Sequence, residues 1–275
     1  MNILQSLILG IIEGITEWLP ISSTGHMILA NKLMGINESD KFVSMFLVVI
    51  QLGAILAVLT MFLRKLNPFS STKTDLQKKQ TYSLWGKIIV ACLPAAVLGL
   101  LLDNFLNDHF YNYITVAIML IIYGVLFIFV ENRNKKRKPK ISNLTELDYK
   151  TALFIGAFQV LSLIPGTSRS GATILGAILL GTSRFVAAEF SFFLAVPVMF
   201  GASGLKLAKF LKGNHFTTNE LIILVVGMVT AYVVSVFIIK FLMEFIKKHD
   251  FKAFGYYRIM LGIVVLLFFM LSGAK

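Results

Sequence analysis

Hydrophobic residues run along this chain in long blocks, without the short alternating patches of a water-soluble fold. Six blocks, 43–63, 84–102, 113–131, 187–208, 219–243 and 257–273, each approach the ~20 residues an α-helix needs to cross a bilayer. Two further apolar stretches, 2–34 and 151–181, are interrupted in the middle by LPISSTGH (19–26) and IPGTSRSGAT (164–173). Proline, glycine and hydroxyl residues there stop a regular helix, and each half is too short to cross. Two short helices around a polar break predict a re-entrant hairpin. Its irregular backbone is tolerated at membrane depth only where protein or a wet cavity surrounds it. The pattern predicts an all-α, polytopic integral membrane protein.

Composition agrees. The 275 residues are 57% hydrophobic and 15% charged, against roughly 25% charged in soluble domains, which leaves no room for a separate soluble domain. The apolar N-terminal stretch lacks the basic leader and small-residue cleavage site of a signal peptide and carries Glu13 and Glu17, so it is expected to stay in the mature fold. Cys92 is the only cysteine, which excludes an intrachain disulfide and a cysteine-built metal site. The net charge of +12 lies mostly in loops, as membrane topology requires, so the bilayer and not nucleic acid is the expected partner. Loop 64–83 carries Arg64, Lys65, Lys73, Lys78 and Lys79. Loop 132–150 carries Arg133, Lys135, Lys136, Arg137, Lys138, Lys140 and Lys150. Two spans separate these loops, so both are expected on the cytoplasmic side, with loop 103–112, which has no Lys or Arg, outside. Lys206, Lys209 and Lys212 run against this scheme.

The two interrupted stretches resemble each other at an offset of 146 residues: Gly10 with Gly156, Glu13 with Gln159, Ser22 with Ser168, Gly25 with Gly171 and Gly35 with Gly181. The following spans continue the likeness at offset 148, as in Phe42 with Phe190 and Gly53 with Gly201. Each half, about 1–131 and about 151–275 around the basic loop 132–150, is one hairpin plus three spans within a single membrane domain. Three is odd, so the second half is expected to insert upside down relative to the first, as an inverted-topology repeat. In such folds the breaks meet at the repeat interface, and a site there draws on both.

The embedded charges give the breaks their chemistry. Before Lys32 the only formally charged side chains are Glu13 and Glu17, and between Lys150 and Arg184 the only one is Arg169. Charges in an apolar helix face the protein interior and find partners. Glu13 and Glu17 share one helix face, so either one keeps its proton or a cation such as Mg²⁺ or Ca²⁺ sits between them. Ser22, Ser23, Thr24, Gly25 and His26 open a short helix whose N-terminus suits an anion, although hydroxyls there are also ordinary caps. A serine beside a base fits nucleophilic catalysis, and His26 can carry a proton near neutral pH. In the second break Gly166, Ser168, Ser170, Gly171 and Thr173 surround Arg169, whose planar fork matches phosphate oxygens. Close helix packing would account for the glycines but not for the arginine. Glu189 reads as a packing carboxylate, Gln51 and Gln159 as helix-to-helix hydrogen bonds, and His109, His215 and His249 as solvated.

Glu13-Gly-Ile-Thr-Glu17, Ser22-Ser-Thr-Gly-His26 and Pro165-Gly-Thr-Ser-Arg-Ser-Gly-Ala-Thr173 resemble the signatures of the undecaprenyl-diphosphate phosphatases of the bacitracin-resistance family, (E/Q)xxxE and PGxSRSxxT. The likeness runs over essentially the whole chain. It implies a bacterial plasma-membrane enzyme that removes the terminal phosphate from undecaprenyl pyrophosphate, recycles the lipid carrier for cell-wall synthesis and lowers sensitivity to bacitracin. It also implies a divalent cation and a site that opens to the extracytoplasmic side. The residues it marks as essential are Glu13, Glu17, Ser23, His26 and Arg169. Glu17, Ser23, His26 and Arg169 are then catalytic, Glu13 and Glu17 hold metal, and Ser22, Thr24, Gly25, Gly166, Ser168, Ser170, Gly171 and Thr173 bind the substrate. The nucleophile stays open among Ser23, His26 and an activated water, and a homo-oligomer is compatible with the chain.

The alternative is a transporter or flippase of polyprenyl phosphate, which would share the inverted repeat and the cradle but would not need the hydroxyl run or His26. An acid-phosphatase-type lipid phosphatase would need a histidine after Ser168-Arg169 in an SRxxxxxH pattern, and the sequence there, SGATIL, has none.

Overall fold

All six blocks are helices in the structure, a computed structural model that describes residues 1–36, 40–135 and 137–272. Lys136 of the basic loop and residue 273 of the last block lie outside the described residues. The first hairpin pairs α1 (Ile3–Thr16) with α2 (Ser23–Leu33). One span divided at Ile50 follows, made of α3 (Lys41–Val49) and α4 (Gln51–Met61), then a turn, α5 (Leu63–Leu66), and the long α6 (Asp75–Phe110) and α7 (Tyr113–Asn134). The second hairpin is α8 (Tyr149–Val160), a 3₁₀ turn (Leu161–Leu163) and α9 (Arg169–Leu179). The chain ends with α10 (Arg184–Leu211), α11 (Thr218–Lys248) and α12 (Lys252–Ser272). Among the described residues there is no strand, only an isolated parallel bridge between Ile141 and Thr182.

Polar caps set several of these boundaries. Asn2 with Gln5, Thr74 with Gln77 and Thr217 with Glu220 form capping boxes ahead of apolar runs. At 14 and 11 residues, α1 and α2 are roughly 21 and 17 Å long, short of the ~30 Å hydrocarbon core. One expectation is corrected: most of 103–112 is helical, since α6 runs on to Phe110. That segment has no glycine or proline to stop the helix. It ends where Asn112 caps α7, accepting from the Thr115 N–H at 2.9 Å.

Glycines let the helices approach backbone to backbone. A Cβ added to Gly53 of α4 would sit 2.1 Å from the Met228 carbonyl oxygen of α11, and one on Gly156 of α8 would sit 2.1 Å from that of Ala91 in α6. Gly10 meets the Gly227 carbonyl in the same way. Thus α1 packs on α11 and α8 on α6, while α7 packs on α12. At the centre lies α10, with Phe190, Phe192 and Phe193 fully buried. By contrast α6 turns Leu93, Val97, Leu100 and Leu101 outward, as a lipid-facing span does.

Candidate functional site

The two breaks lie against each other, and each reaches its helix through the same unusual backbone. Ser22 and Ser168, paired by the repeat, have φ of 72° and 71° with extended ψ of 102° and 124°. Side chains other than glycine rarely adopt this conformation, at a cost of roughly 1–3 kcal/mol each, and it concentrates at functional sites. Each serine then caps its helix, Ser168 Oγ accepting from the Gly171 N–H at 3.1 Å and Ser22 Oγ from that of Gly25 at 3.5 Å. The strained turn leaves Ser23 and Arg169 as the first residues of α2 and α9.

The first residues of α2 and α9 converge on Glu17. Arg169 Nη2 donates to Glu17 Oε1 at 3.0 Å, and Ser23 Oγ donates to Glu17 Oε2 at 3.1 Å. Both members of the ion pair are nearly buried. Arg169 Nη1 donates to the Ser191 carbonyl of α10 at 2.7 Å, and the guanidinium lies over the Trp18 ring. Ser191 and Thr173 share a hydroxyl hydrogen bond of 2.7 Å, and Thr173 also donates back to the Arg169 carbonyl. Ser170 Oγ donates to the Glu17 carbonyl at 3.1 Å, a second stitch between the breaks. Glu13 is buried beside Glu17. Glu13 Oε1, Trp18 Nε1, Thr167 Oγ1 and Arg169 Nε are buried without a protein partner. Such atoms are uncommon in folded proteins; here Thr167 and Arg169 lie in the second break, Trp18 borders the first, and Glu13 stands one turn before Glu17.

Other expected site residues are placed differently. His26 does not reach Glu17 or Ser23. Its Nδ1 faces the Ser22 carbonyl at 2.8 Å and its Nε2 the Tyr257 hydroxyl at 2.8 Å, and the two rings are nearly parallel. A carbonyl only accepts, so Nδ1 carries the proton and, in the neutral ring, Nε2 accepts from Tyr257. The glycines pack closely: a Cβ on Gly166 (φ 89°) would meet the Val116 carbonyl at 2.4 Å, and ones on Gly25 and Gly171 would meet Leu120 and Arg258 at 3.0 Å. Thr24 is half-buried. Glu189 is buried and paired with Lys65. Both amide atoms of Gln159 are buried without a hydrogen-bond partner, so the expected helix-to-helix bond is not made. His109, His215 and His249 are exposed, as expected.

Arg258 of α12 is the residue that the sequence reading missed. It is fully buried. Its Nη1 donates to the Pro20 carbonyl at 3.1 Å and its Nη2 to those of Gly166 and Thr167 at 2.8 Å, while the guanidinium lies over the Tyr123 ring. One side chain thereby fixes the backbone of both breaks. The available signal was a cation inside an expected span. Arg258 is the second residue of the expected span 257–273, whereas α12 begins at Lys252 and places it nearly two turns inside the helix.

Fold and site together define a multi-pass α-helical membrane protein in which two interrupted hairpins hold a buried carboxylate–guanidinium pair amid hydroxyl groups. The chain belongs to the family described as bacitracin resistance protein BacA, whose model matches residues 6–264. It is 60% identical over 272 residues to an undecaprenyl-diphosphatase of Enterococcus faecalis (strain ATCC 700802 / V583), covering 98% of this chain and 99% of that one. It is 62% identical over 270 residues to an undecaprenyl-diphosphatase of Acetivibrio thermocellus, covering 98% of each. A Streptococcus thermophilus protein of the same name is 55% identical over 269 residues, 98% of this chain and 93% of that one.

Proposed function

We propose that this protein is an undecaprenyl-diphosphatase, which hydrolyses undecaprenyl pyrophosphate to undecaprenyl phosphate and inorganic phosphate. It thereby recycles the lipid carrier for cell-wall synthesis and confers bacitracin resistance. Family membership and full-length likeness support the reaction. The observation that carries the mechanism is the Glu17 carboxylate, which accepts from Ser23 of one break and Arg169 of the other.

Ser23 Oγ attacks the terminal phosphorus, forming an Oγ–P bond as the bond from that phosphorus to the bridging oxygen breaks. Glu17 takes the serine proton, the nucleophile–base contact that activates a hydroxyl. Undecaprenyl phosphate leaves with the bridging oxygen, to which Glu17 passes that proton, freeing its carboxylate. Water, deprotonated by Glu17, then splits the phosphoserine, releasing inorganic phosphate as Glu17 returns the proton to Ser23 Oγ. Arg169 stabilises the equatorial oxygens, where phosphoryl-transfer catalysis mostly lies. His26, pinned to Tyr257, orients the start of α2.

A divalent cation fits the oxygen donors present. Glu13, with a carboxylate oxygen free of protein partners, and Glu17 would hold Mg²⁺ or Ca²⁺. When bound, the ion screens the pyrophosphate charge. We place the protein in the bacterial plasma membrane, with basic loops in the cytoplasm and the site open to the extracytoplasmic side. The halves insert in opposite senses, a reading that the reciprocal packing of α1 on α11 and α8 on α6 supports.

Purified protein should release phosphate from undecaprenyl pyrophosphate with Mg²⁺ or Ca²⁺ and lose that activity in EDTA. Acid quenching should trap phosphoserine at Ser23, and Ser23→Ala should remove both the trapped group and turnover. Turnover in folded Ser23→Ala would overturn the role of Ser23. No release by folded wild type under any cation would overturn the enzyme reading and favour transport of polyprenyl phosphate.

A further inference from the structure

A cavity of about 680 Å³ opens among the 64–87 segment, the 142–145 loop and the start of α10, away from the Glu17–Arg169 pair. Four cations line it, Arg64, Lys65, Lys73 and Lys87, against one carboxylate, Glu189. Lys65 pairs with Glu189. Lys73 Nζ donates only to neutral oxygens, the Lys65 carbonyl at 3.2 Å and Thr81 Oγ1 at 2.6 Å. Lys87 is 7% exposed and makes no hydrogen bond or ion pair among the described residues. The Tyr149 ring centroid lies 6.0 Å from its Nζ, and Asp148 is near enough for its charge to act on Lys87.

A largely buried lysine whose ammonium makes no hydrogen bond or ion pair bears a desolvation cost, which falls when an anion is supplied. The walls add hydroxyl donors, Ser70, Thr72, Ser83, Ser142 and Thr145 among them. The volume falls within the roughly 300–1,000 Å³ of ligand-binding pockets. A surplus of cations with hydroxyl donors suits a doubly charged, oxygen-rich group better than a single carboxylate.

We propose that this cavity is a second anion site, separate from the site of hydrolysis, and that it takes a phosphate monoester or inorganic phosphate. The proposal does not rest on the hydrolytic reading, since it concerns different residues and is tested by binding alone. Two sources supply that chemistry: free phosphate in the adjoining water, and the headgroup of an anionic lipid such as phosphatidic acid.

Binding of radiolabelled inorganic phosphate to detergent-purified protein is measured by equilibrium dialysis in excess chloride. Retention of phosphatidic acid over phosphatidylcholine is measured by native mass spectrometry from nanodiscs. Wild type, Arg169→Ala, Lys87→Gln and Lys73→Gln are compared. Lys73 lies at the half-exposed rim, so its variant keeps the test open if Lys87→Gln does not fold. Arg169→Ala removes the share of binding that belongs to the site of hydrolysis, and each lysine substitution should weaken the binding that survives in Arg169→Ala about tenfold or more, the scale of a lost charge-assisted hydrogen bond. Capture of inorganic phosphate that the lysine substitutions weaken identifies the aqueous source, and capture of phosphatidic acid alone that they weaken identifies the lipid; either upholds the site. Failure of both probes to bind overturns it, as does binding that Arg169→Ala abolishes while both lysine variants retain it.

Discussion

Replacing Arg258 with methionine removes the guanidinium while keeping most of the volume of its stem. Three carbonyl acceptors lose their donor at once, Pro20 in the first break and Gly166 and Thr167 in the second. Each charge-assisted bond is worth roughly 1.5–3 kcal/mol on deletion. Relief of the cost of burying the guanidinium offsets part of that sum, so a net loss of about 3 kcal/mol is expected. For a chain of this size that corresponds to a fall in Tm of roughly 6–12 °C. Activity should suffer more than stability. The breaks hold Ser23 and Arg169 on either side of Glu17, and a displacement of about 1 Å costs on the order of 100-fold in rate. Because Arg258 positions the two segments, the loss should fall on kcat with little change in KM. Arg258→Lys keeps the charge, but a point ammonium cannot span both breaks as the planar fork does, so it should fall between methionine and wild type. Phosphate release from undecaprenyl pyrophosphate and unfolding followed by the fluorescence of Trp18 and Trp85 provide the two readouts. Wild-type unfolding and wild-type kcat in Arg258→Met would refute the argument.

Three further outcomes follow from the geometry. Glu17→Gln and Arg169→Gln should each nearly abolish turnover and destabilise by about 3–5 kcal/mol, since each leaves a buried charge unpaired. The double variant should cost much less than the sum, and additive unfolding energies in that cycle would count against a direct pair. Tyr257→Phe removes the hydroxyl donor to His26 Nε2 and should lower kcat/KM about tenfold or less, the scale of one hydrogen bond. An equal loss in Tyr257→Phe and His26→Ala would place the whole effect in that bond, whereas no loss in either would remove His26 from the mechanism. Gly53→Ala should destabilise by roughly 1–3 kcal/mol or more, because its Cβ would sit 2.1 Å from the Met228 carbonyl oxygen. Its repeat partner Gly201 has nothing within 4 Å, so Gly201→Ala should be neutral, and equal Tm values for the two variants would contradict the packing.

The number of spans, their approximate limits and the two polar interruptions could be read from the sequence alone. Long apolar runs have one stable destination, and the cost of embedding a charge is high wherever its helix lies. That is why Glu13, Glu17 and Arg169 stood out from a single sequence. Tertiary structure decided which of the neighbouring hydroxyls meets Glu17. Ser22, Ser23 and Thr24 are equivalent in composition, and only the positive φ at Ser22, followed by the rotation of α2, points Ser23 at the carboxylate and His26 toward Tyr257. Packing likewise made Arg258 the buried clamp of both breaks, through carbonyls up to 238 positions away in the chain. It also joined Glu189 to Lys65 and carried α6 through a segment that composition had marked as a loop. Hydropathy acts along the chain and can be read there. Helix rotation, helix depth and the choice of hydrogen-bond partner are set by contacts between distant segments, so they exist only in the folded molecule.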